Sequence, residues 1–402
     1  MGRMKVLEVL EATVGGARTH VLQLLRGLPP QRFELHLACS TERDPGARRE
    51  VEALRSEGVG VETVRMLRRP APLADLAALR RLTALMRAGR YDLVHTHCAK
   101  AGFLGRLAAR RAGVPAVLHT PHCFPFQRVD TRLTPLYRVL ERRAARWADR
   151  IVLVGESQRQ VALDAGVCEE EELVVVENGI APPAEEPAAL RRRHREALGL
   201  SEDAWAAGFV GRVTPQKDVQ TFLSACDALL ASLPDLALLL VGTTDHLPYL
   251  RSLRPPISPE AWRVVARGGS PDGPVYWSSA MPIRVLGERS EASELIAALD
   301  VLVLPSRYEG LPYVALEAMA CGVPVVASEV PGNVDAVADG ETGLLVESGR
   351  ASSFARAVAK LLADADLRRT MGAAARRRVA ARFTQERFLR EMAALYEAER
   401  RS

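Results

Sequence analysis

The chain has only six cysteines in 402 residues (Cys39, Cys98, Cys123, Cys168, Cys226 and Cys321), and no two form a C-x-x-C pair. That argues against a zinc ribbon or a dithiol redox motif, and a chain of this length does not call for a disulfide framework. No apolar run approaches the roughly 20 residues that span a bilayer. The N-terminal stretch is not built as a secretory leader. Met4 to Leu10 is short, carries Glu8 in its middle, and runs into Gly15-Gly16 without a small-residue cleavage site. A cytoplasmic location is therefore expected. No carboxylate-rich D-x-D run lies near His95-Thr96-His97, so no metal is expected there.

Hydrophobic residues make up 48% and charged residues 26%, the balance of a globular protein. The length favours two domains over one core. A formal charge of +5 is small for this size but unevenly spread. Between Lys100 and Arg150, eleven basic residues face three acidic ones, an excess of eight positive charges. Such a surface suits anionic headgroups or an anionic acceptor, which makes peripheral contact with the inner face of a membrane an expectation.

Short β-branched runs alternate with helical patterns in both halves. In the first half the runs at 6–10, 33–38, 59–64, 93–95, 116–119, 151–154 and 173–176 read as strands. Between them, 19–28, 73–86 and 133–148 repeat apolar residues at helical spacing. The rhythm pauses at Asn178-Gly179 and a Pro-rich stretch ending at Pro187, then restarts. Strands alternating with helices imply parallel sheets covered on both faces. The expected architecture is α/β, with two Rossmann-like doubly wound domains facing across a cleft: 1–181 on the acceptor side, 182–383 on the donor side, and a helix at 384–402 crossing back to the first domain. One stretch, 243–282, lacks periodicity, is rich in Pro, Gly and Ser, and reads as a long irregular loop.

The residues that carry chemistry stand at the carboxyl ends of these strands, where open parallel sheets place their ligands. The run from Ser306 to Ala320 follows strand 301–304. Glu309 falls in its loop, and Glu317 falls eight residues later in the helix that follows. The loop backbone at Gly310 and Leu311 and the helix N-terminus suit a phosphate, and the two carboxylates can accept hydrogen bonds from sugar and ribose hydroxyls. Arg212 and Lys217 lie in the loop after strand 207–210, where two cations suit a diphosphate. Gly15-Gly16 closes the first strand and would let backbone approach a phosphate. His122 ends another strand and could meet a sugar hydroxyl. His20, His95, His97 and His119 read as hydrogen-bonded packing at strand and helix ends.

With these residues in view, the chain resembles the retaining glycosyltransferases of GT-B fold, family four (glycosyl transferases group 1), over nearly its whole length. The motifs that carry the resemblance are GRVTPQK, DVLVLPSRYEGLPYVALEAMACGVPVVAS and DGETGLLV in the second half, with GGARTH, HTHCAKAGFLGRLAA and HTPHCF in the first. The resemblance implies a hexosyltransferase that uses a UDP- or GDP-sugar donor and a glycan or lipid-linked acceptor of cell-surface polysaccharide synthesis. It implies no resident cofactor, no metal and no nucleic-acid partner. Glu309 would contact the donor sugar and Glu317 the ribose. Arg212, Lys217, Gly310, Leu311 and the Gly15-Gly16 loop would hold the diphosphate, and His122 would sit near the transferred sugar. Asp218 stands where the family often has glycine, and Cys123 follows His122 where glycine is usual. A non-catalytic binder of nucleotide sugars or glycans, and a UDP-sugar epimerase of the same fold, remain as alternatives.

Overall fold

The computed structural model describes residues 2–42, 46–127, 132–244, 246–267, 275–279 and 281–400. Arg128 and Asp130 of the basic stretch lie outside the described residues, as do 245, 268–274 and 280 of the stretch read as irregular. The chain divides into two compact units, one formed by Met1–Asn178 with Gln385–Ser402 and the other by Gly179–Thr384. Each is a seven-stranded Rossmann-like sheet layered with helices. No described helix is long and apolar enough to cross a membrane.

In the first unit the strands are β1 (Met4–Leu10), β2 (Phe33–Cys39), β3 (Gly60–Thr63), β4 (Leu93–His97), β5 (Ala116–Thr120), β6 (Arg150–Leu153) and β7 (Leu173–Val175). They run in the order β3-β2-β1-β4-β5-β6-β7, and every pairing is parallel. β4 and β5 are buried along their whole length, as expected of strands covered on both faces. Phe388, Met392 and Tyr396 of the final helix Gln385–Ala398 share a core with Met4, Val6 and Leu24. The helix Gly15–Gly27 lies so close to the final helix that a Cβ at Gly27 would stand 2.4 Å from Leu389 Cδ1.

In the second unit the strands are β8 (Ala206–Val210), β9 (Ala237–Val241), β10 (Val275–Ser278), β11 (Met281–Gly287), β12 (Val301–Leu304), β13 (Val325–Ser328) and β14 (Gly343–Val346). Their order is β10-β11-β9-β8-β12-β13-β14. All pairings are parallel except β10 with β11.

The stretch 243–282 is not the irregular loop that its sequence suggests. Its described part holds helices Leu247–Ser252 and Pro259–Arg267, then β10 and the start of β11. His246 caps the first helix by accepting the Tyr249 N–H at 3.2 Å. Trp277 is fully buried and its Nε1 donates to Pro255 O at 3.2 Å. These elements are six, nine, four and seven residues long. A periodicity window of 11 or more residues averages across such pieces and finds no period.

In each sheet the first strand lies between two strands that follow it by different crossovers: β1 between β2 and β4, β8 between β9 and β12. These are the topological switch points, where the connecting loops part and leave a crevice at the strands' carboxyl ends.

Candidate functional site

In the second unit the switch point is flanked by the loops 211–218 after β8 and 305–312 after β12, and four links tie the two together. Arg307 N–H donates to Gln216 O at 2.8 Å. The Gln216 side-chain amide donates to Tyr308 O at 3.1 Å, and Arg307 Nε donates to Asp218 Oδ2 at 3.2 Å. Lys217 Nζ donates to Glu309 Oε1 at 2.6 Å. Glu309 is only 5% exposed, so this ion pair is largely shielded from water. Removing either partner would leave the other charge half-solvated and unmatched.

Three backbone positions make that juxtaposition possible. Asp218 has φ +46°, the left-handed region that favours glycine and that Asp tolerates better than most residues. It adds something glycine cannot, since its carboxylate takes hydrogen bonds from Thr221 Oγ1 at 3.0 Å and from Arg307. Gly332 has φ +85°, and a Cβ there would stand 2.5 Å from Gly310 O and 2.7 Å from Glu309 O. Gly242 has φ +138°, and its Cβ would fall 1.9 Å from Gly211 O. Sequence reasoning missed Gly332 and Gly242. A Pro-Gly pair two residues past a buried strand is the available signal for Gly332.

Of the other residues expected here, Arg212 is half-buried in the same loop as Lys217, and Gly310 and Leu311 are buried in the loop after β12. Glu317 lies on the helix Tyr313–Ala320, whose N-terminus carries no side-chain cap. It is half-buried, no described side chain bonds to it, and loss of water pushes its carboxyl up to about 7. Thr214 Oγ1 and Ser306 Oγ, one on each loop, are buried without a hydrogen-bond partner among the described residues. The Lys217–Glu309 pair puts a cation and a carboxylate together at this switch point, groups that suit an anion bearing hydroxyls.

The first unit carries Gly15, Gly16 and His122. Gly15, with φ +64°, and Gly16 are exposed and open the helix after β1, so they form its first turn and not a separate loop. His122 follows β5 with φ +59°, and Cys98 follows β4 with φ +61° and ψ 178°. Two non-glycine residues held in such conformations at adjacent strand ends mark a place where the surrounding structure over-determines the backbone.

Beneath them is a buried polar cluster centred on Glu8. Glu8 pairs in register with His95, and His97 is two residues further along β4, so all three point to one face of the sheet. Tyr396 Oη donates to Glu8 Oε1 at 2.7 Å, and His97 Nε2 lies 2.7 Å from Glu8 Oε2. His95 Nδ1 lies 2.7 Å from Tyr396 Oη and its Nε2 lies 2.8 Å from Thr120 Oγ1. His97 Nδ1 lies 3.2 Å from His122 Nε2. His20 bonds through Nδ1 to Asn178 Oδ1 at 3.0 Å. Burial pushes the Glu8 carboxyl up, opposed by His95 and by the Tyr396 hydroxyl. Burial holds His97 and His20 down at about 3 and His122 well below the usual histidine range, so the rings are neutral near pH 7. Glu8, His95 and His97 bring potential ligand atoms within 4.8 Å of one another, yet each of these atoms already has a hydrogen-bond partner inside the cluster.

His119 belongs elsewhere. It packs against Gly102, where a Cβ would stand 2.3 Å from its ring, and bonds to Thr96 at 3.0 Å. It is a core histidine, as its position suggests. His20 is packed and bonded to Asn178, and His95 and His97 are packed and bonded around a carboxylate that sequence reasoning did not single out. Tyr396 was legible only as one apolar position of an amphipathic helix.

Two switch-point sheets of this order, with a cationic and acidic loop pair at the second, define the GT-B class of glycosyltransferases. The glycosyl transferases group 1 profile matches residues 191–378, and the glycosyl transferase 4-like domain profile matches residues 15–179. The chain belongs to the group 1 glycosyltransferases. Among its relatives is the D-inositol 3-phosphate glycosyltransferase of Geodermatophilus obscurus, 34% identical over 405 residues, covering 96% of this chain and 85% of that protein. Another is the Escherichia coli UDP-Gal:alpha-D-GlcNAc-diphosphoundecaprenol alpha-1,3-galactosyltransferase, 28% identical over 371 residues, covering 90% and 89% of the two chains. Among solved structures, Anabaena HepE in complex with UDP and glucose superposes with a TM-score of 0.77 at 20% identity, over 98% of this chain and 100% of that one. At that identity the likeness establishes the fold.

Proposed function

We propose that the protein transfers a hexosyl unit from a UDP- or GDP-sugar to a glycan or lipid-linked acceptor of cell-surface polysaccharide synthesis, with retention at the anomeric carbon. The observation that carries this reading is the shielded Lys217–Glu309 pair joining the two switch-point loops. Arg212 and Lys217 neutralise the diphosphate, with the Gly310-Leu311 backbone and the helix N-terminus beside them. Glu309 accepts hydrogen bonds from the donor sugar and Glu317 from the ribose. The anomeric C–O bond breaks with its electron pair going to the departing phosphate, the acceptor oxygen bonds to the same face, and its proton passes to that phosphate oxygen. The cations stabilise the charge that develops on the leaving group, the principal electrostatic demand of the reaction. No metal takes part in this scheme. UDP is the first nucleotide to try, since the galactosyltransferase relative and the HepE complex are both named with it. An acceptor carrying a lipid diphosphate or a phosphorylated polyol agrees with the names of the relatives.

The test is consumption of UDP-hexoses by the purified chain with and without acceptor lipids. Glu309→Ala is expected to lower turnover by about 10²-fold or more, on the scale of losing one preorganised transition-state group. Glu347→Ala, at an exposed surface glutamate, should leave it unchanged. Equal turnover in both variants contradicts the reading.

The helix Thr134–Ala145 supplies a membrane contact. Leu133, Leu136 and Val139 are 48%, 50% and 58% exposed. Arg132, Arg138, Arg142, Arg143 and Arg146 are exposed around them. Apolar side chains ringed by arginines match an interface of anionic headgroups over acyl chains. Flotation with vesicles containing phosphatidylglycerol should recover the protein at low salt and lose it for Leu136→Glu/Val139→Glu. Equal recovery on neutral vesicles contradicts the assignment.

A further inference from the structure

The hydrogen bonds around Glu8 admit one consistent direction while its carboxylate is ionised. An ionised carboxylate only accepts. Tyr396 already donates to Oε1, so the 2.7 Å contact at Oε2 requires the proton of His97 to be on Nε2. His97 Nδ1 is then a bare acceptor, and the 3.2 Å contact requires the proton of His122 to be on Nε2. The other branch agrees: Thr120 Oγ1 donates to His95 Nε2, and His95 Nδ1–H donates to Tyr396 Oη. Every donor is used once and both branches end on Glu8. The lone pair left over is on Nδ1 of His122, the half-buried outermost ring, for which no described residue provides a partner.

We infer that Glu8 and His97 are positioning residues that hold His122 in its Nε2–H tautomer, so that His122 Nδ1 accepts a hydrogen bond from a hydroxyl of a sugar bound at the carboxyl ends of the first unit's strands. The geometry makes this device directional. Placing a donor where Glu8 Oε2 stands reverses both histidine bonds, which moves the His97 proton to Nδ1 and the His122 proton to Nδ1. His122 would then present a donor where the substrate also presents one. His122 and Cys98 each follow one of the two strands concerned at positive φ, and the His97 and His122 rings lie stacked with centroids 5.4 Å apart. A histidine's tautomer is set by the bond its second nitrogen makes, so a residue buried two bonds away can govern what the outermost ring offers.

The inference rests on the transferase reading for the identity of the hydroxyl, but its test separates the two. Glu8→Gln keeps the shape and, with Tyr396 still donating to the amide oxygen, turns the amide nitrogen toward His97. Its kcat is expected to fall about 10²-fold, the scale of losing one preorganised hydrogen-bonding group. Donor KM should stay within about threefold. Glu8→Gln/His122→Ala should be no slower than His122→Ala alone, because both changes break one unit. Nitrogen-15 NMR of the imidazoles reads the tautomers directly and needs no turnover. In the wild-type chain at pH 7.5, His97 and His122 should both be Nε2–H. In Glu8→Gln both should be Nδ1–H.

Wild-type His122 found as Nδ1–H or as imidazolium overturns the inference, whether or not any sugar is transferred. So does a folded Glu8→Gln with wild-type kcat, or a double variant whose losses multiply. A divalent ion found at one per purified chain and ligated by His97 overturns it as well. If Glu8→Gln does not fold, the wild-type spectrum alone decides. If the tautomers are as stated and no donor is consumed, the transferase reading falls and the relay stands.

Discussion

Glu317 is a carboxyl that has lost water without gaining a donor, and that history fixes the sign of its effect on stability. Its folded value of about 7 lies above the ordinary 4.5. Between those two values the folded chain binds more protons than the unfolded one, so stability falls as pH rises through this window. The full penalty is present above about pH 7 and is on the order of 3 kcal/mol, at 1.36 kcal/mol per unit. Glu317→Gln removes the charge and keeps the shape. It should therefore raise the unfolding free energy at pH 8 by more than at pH 5 and, on the proposed function, weaken UDP binding. Denaturant melts at the two pH values check this, and a gain of the same size at both contradicts it. The trade is physically reasonable for a group whose donor arrives with the ligand. Glu8 shows the opposite solution: it is buried more deeply, but two donors at 2.7 Å are built into the fold around it.

Loops that carry chemistry are only as well placed as the backbone beneath them. Glu309 sits on a segment whose carbonyl groups leave no room for a Cβ at Gly332. Gly332→Ala adds a methyl group at a positive φ and against backbone, where nothing flexible can give way. The expected outcome is a loss of stability of about 1–3 kcal/mol together with a fall in turnover larger than any change in acceptor KM. Wild-type turnover in a folded Gly332→Ala would show that Glu309 is not held from this side. The same scale explains what the sequence displayed and what it hid. The loops after β8 and β12 were legible because each follows a short buried strand and combines charge with glycine. The pairing of Asp218 with Arg307 was not, since nothing local indicates that residues 89 apart will meet. The pieces within 243–282 were hidden because each is shorter than the span over which a period can be recognised, although Trp277 is as buried as any residue in the second unit.

For the molecule as a whole, the strand–helix alternation gave away both sheets. Strands buried on two faces must be apolar throughout, and the helices between them must be striped. The break in that rhythm near Asn178 falls where the compact units part, between Asn178 and Gly179. The polar centre of the first unit escaped notice for the converse reason. Glu8 is one carboxylate in an otherwise apolar strand, His95 and His97 are two residues apart on another, and Tyr396 lies 388 positions from Glu8. Each alone reads as packing, and only the fold brings them together.

The central claim is that Arg212 and Lys217 hold a nucleoside diphosphate beside Glu309. Calorimetric titration of UDP into the wild-type chain and into Arg212→Ala and Lys217→Ala tests it most directly. Each charge-assisted hydrogen bond to a phosphate is worth about 1.5–3 kcal/mol. Each variant should therefore bind UDP about 10- to 100-fold more weakly, with the wild-type affinity falling as salt is raised. UDP affinities equal to wild type in both variants, with the proteins folded, would contradict the account.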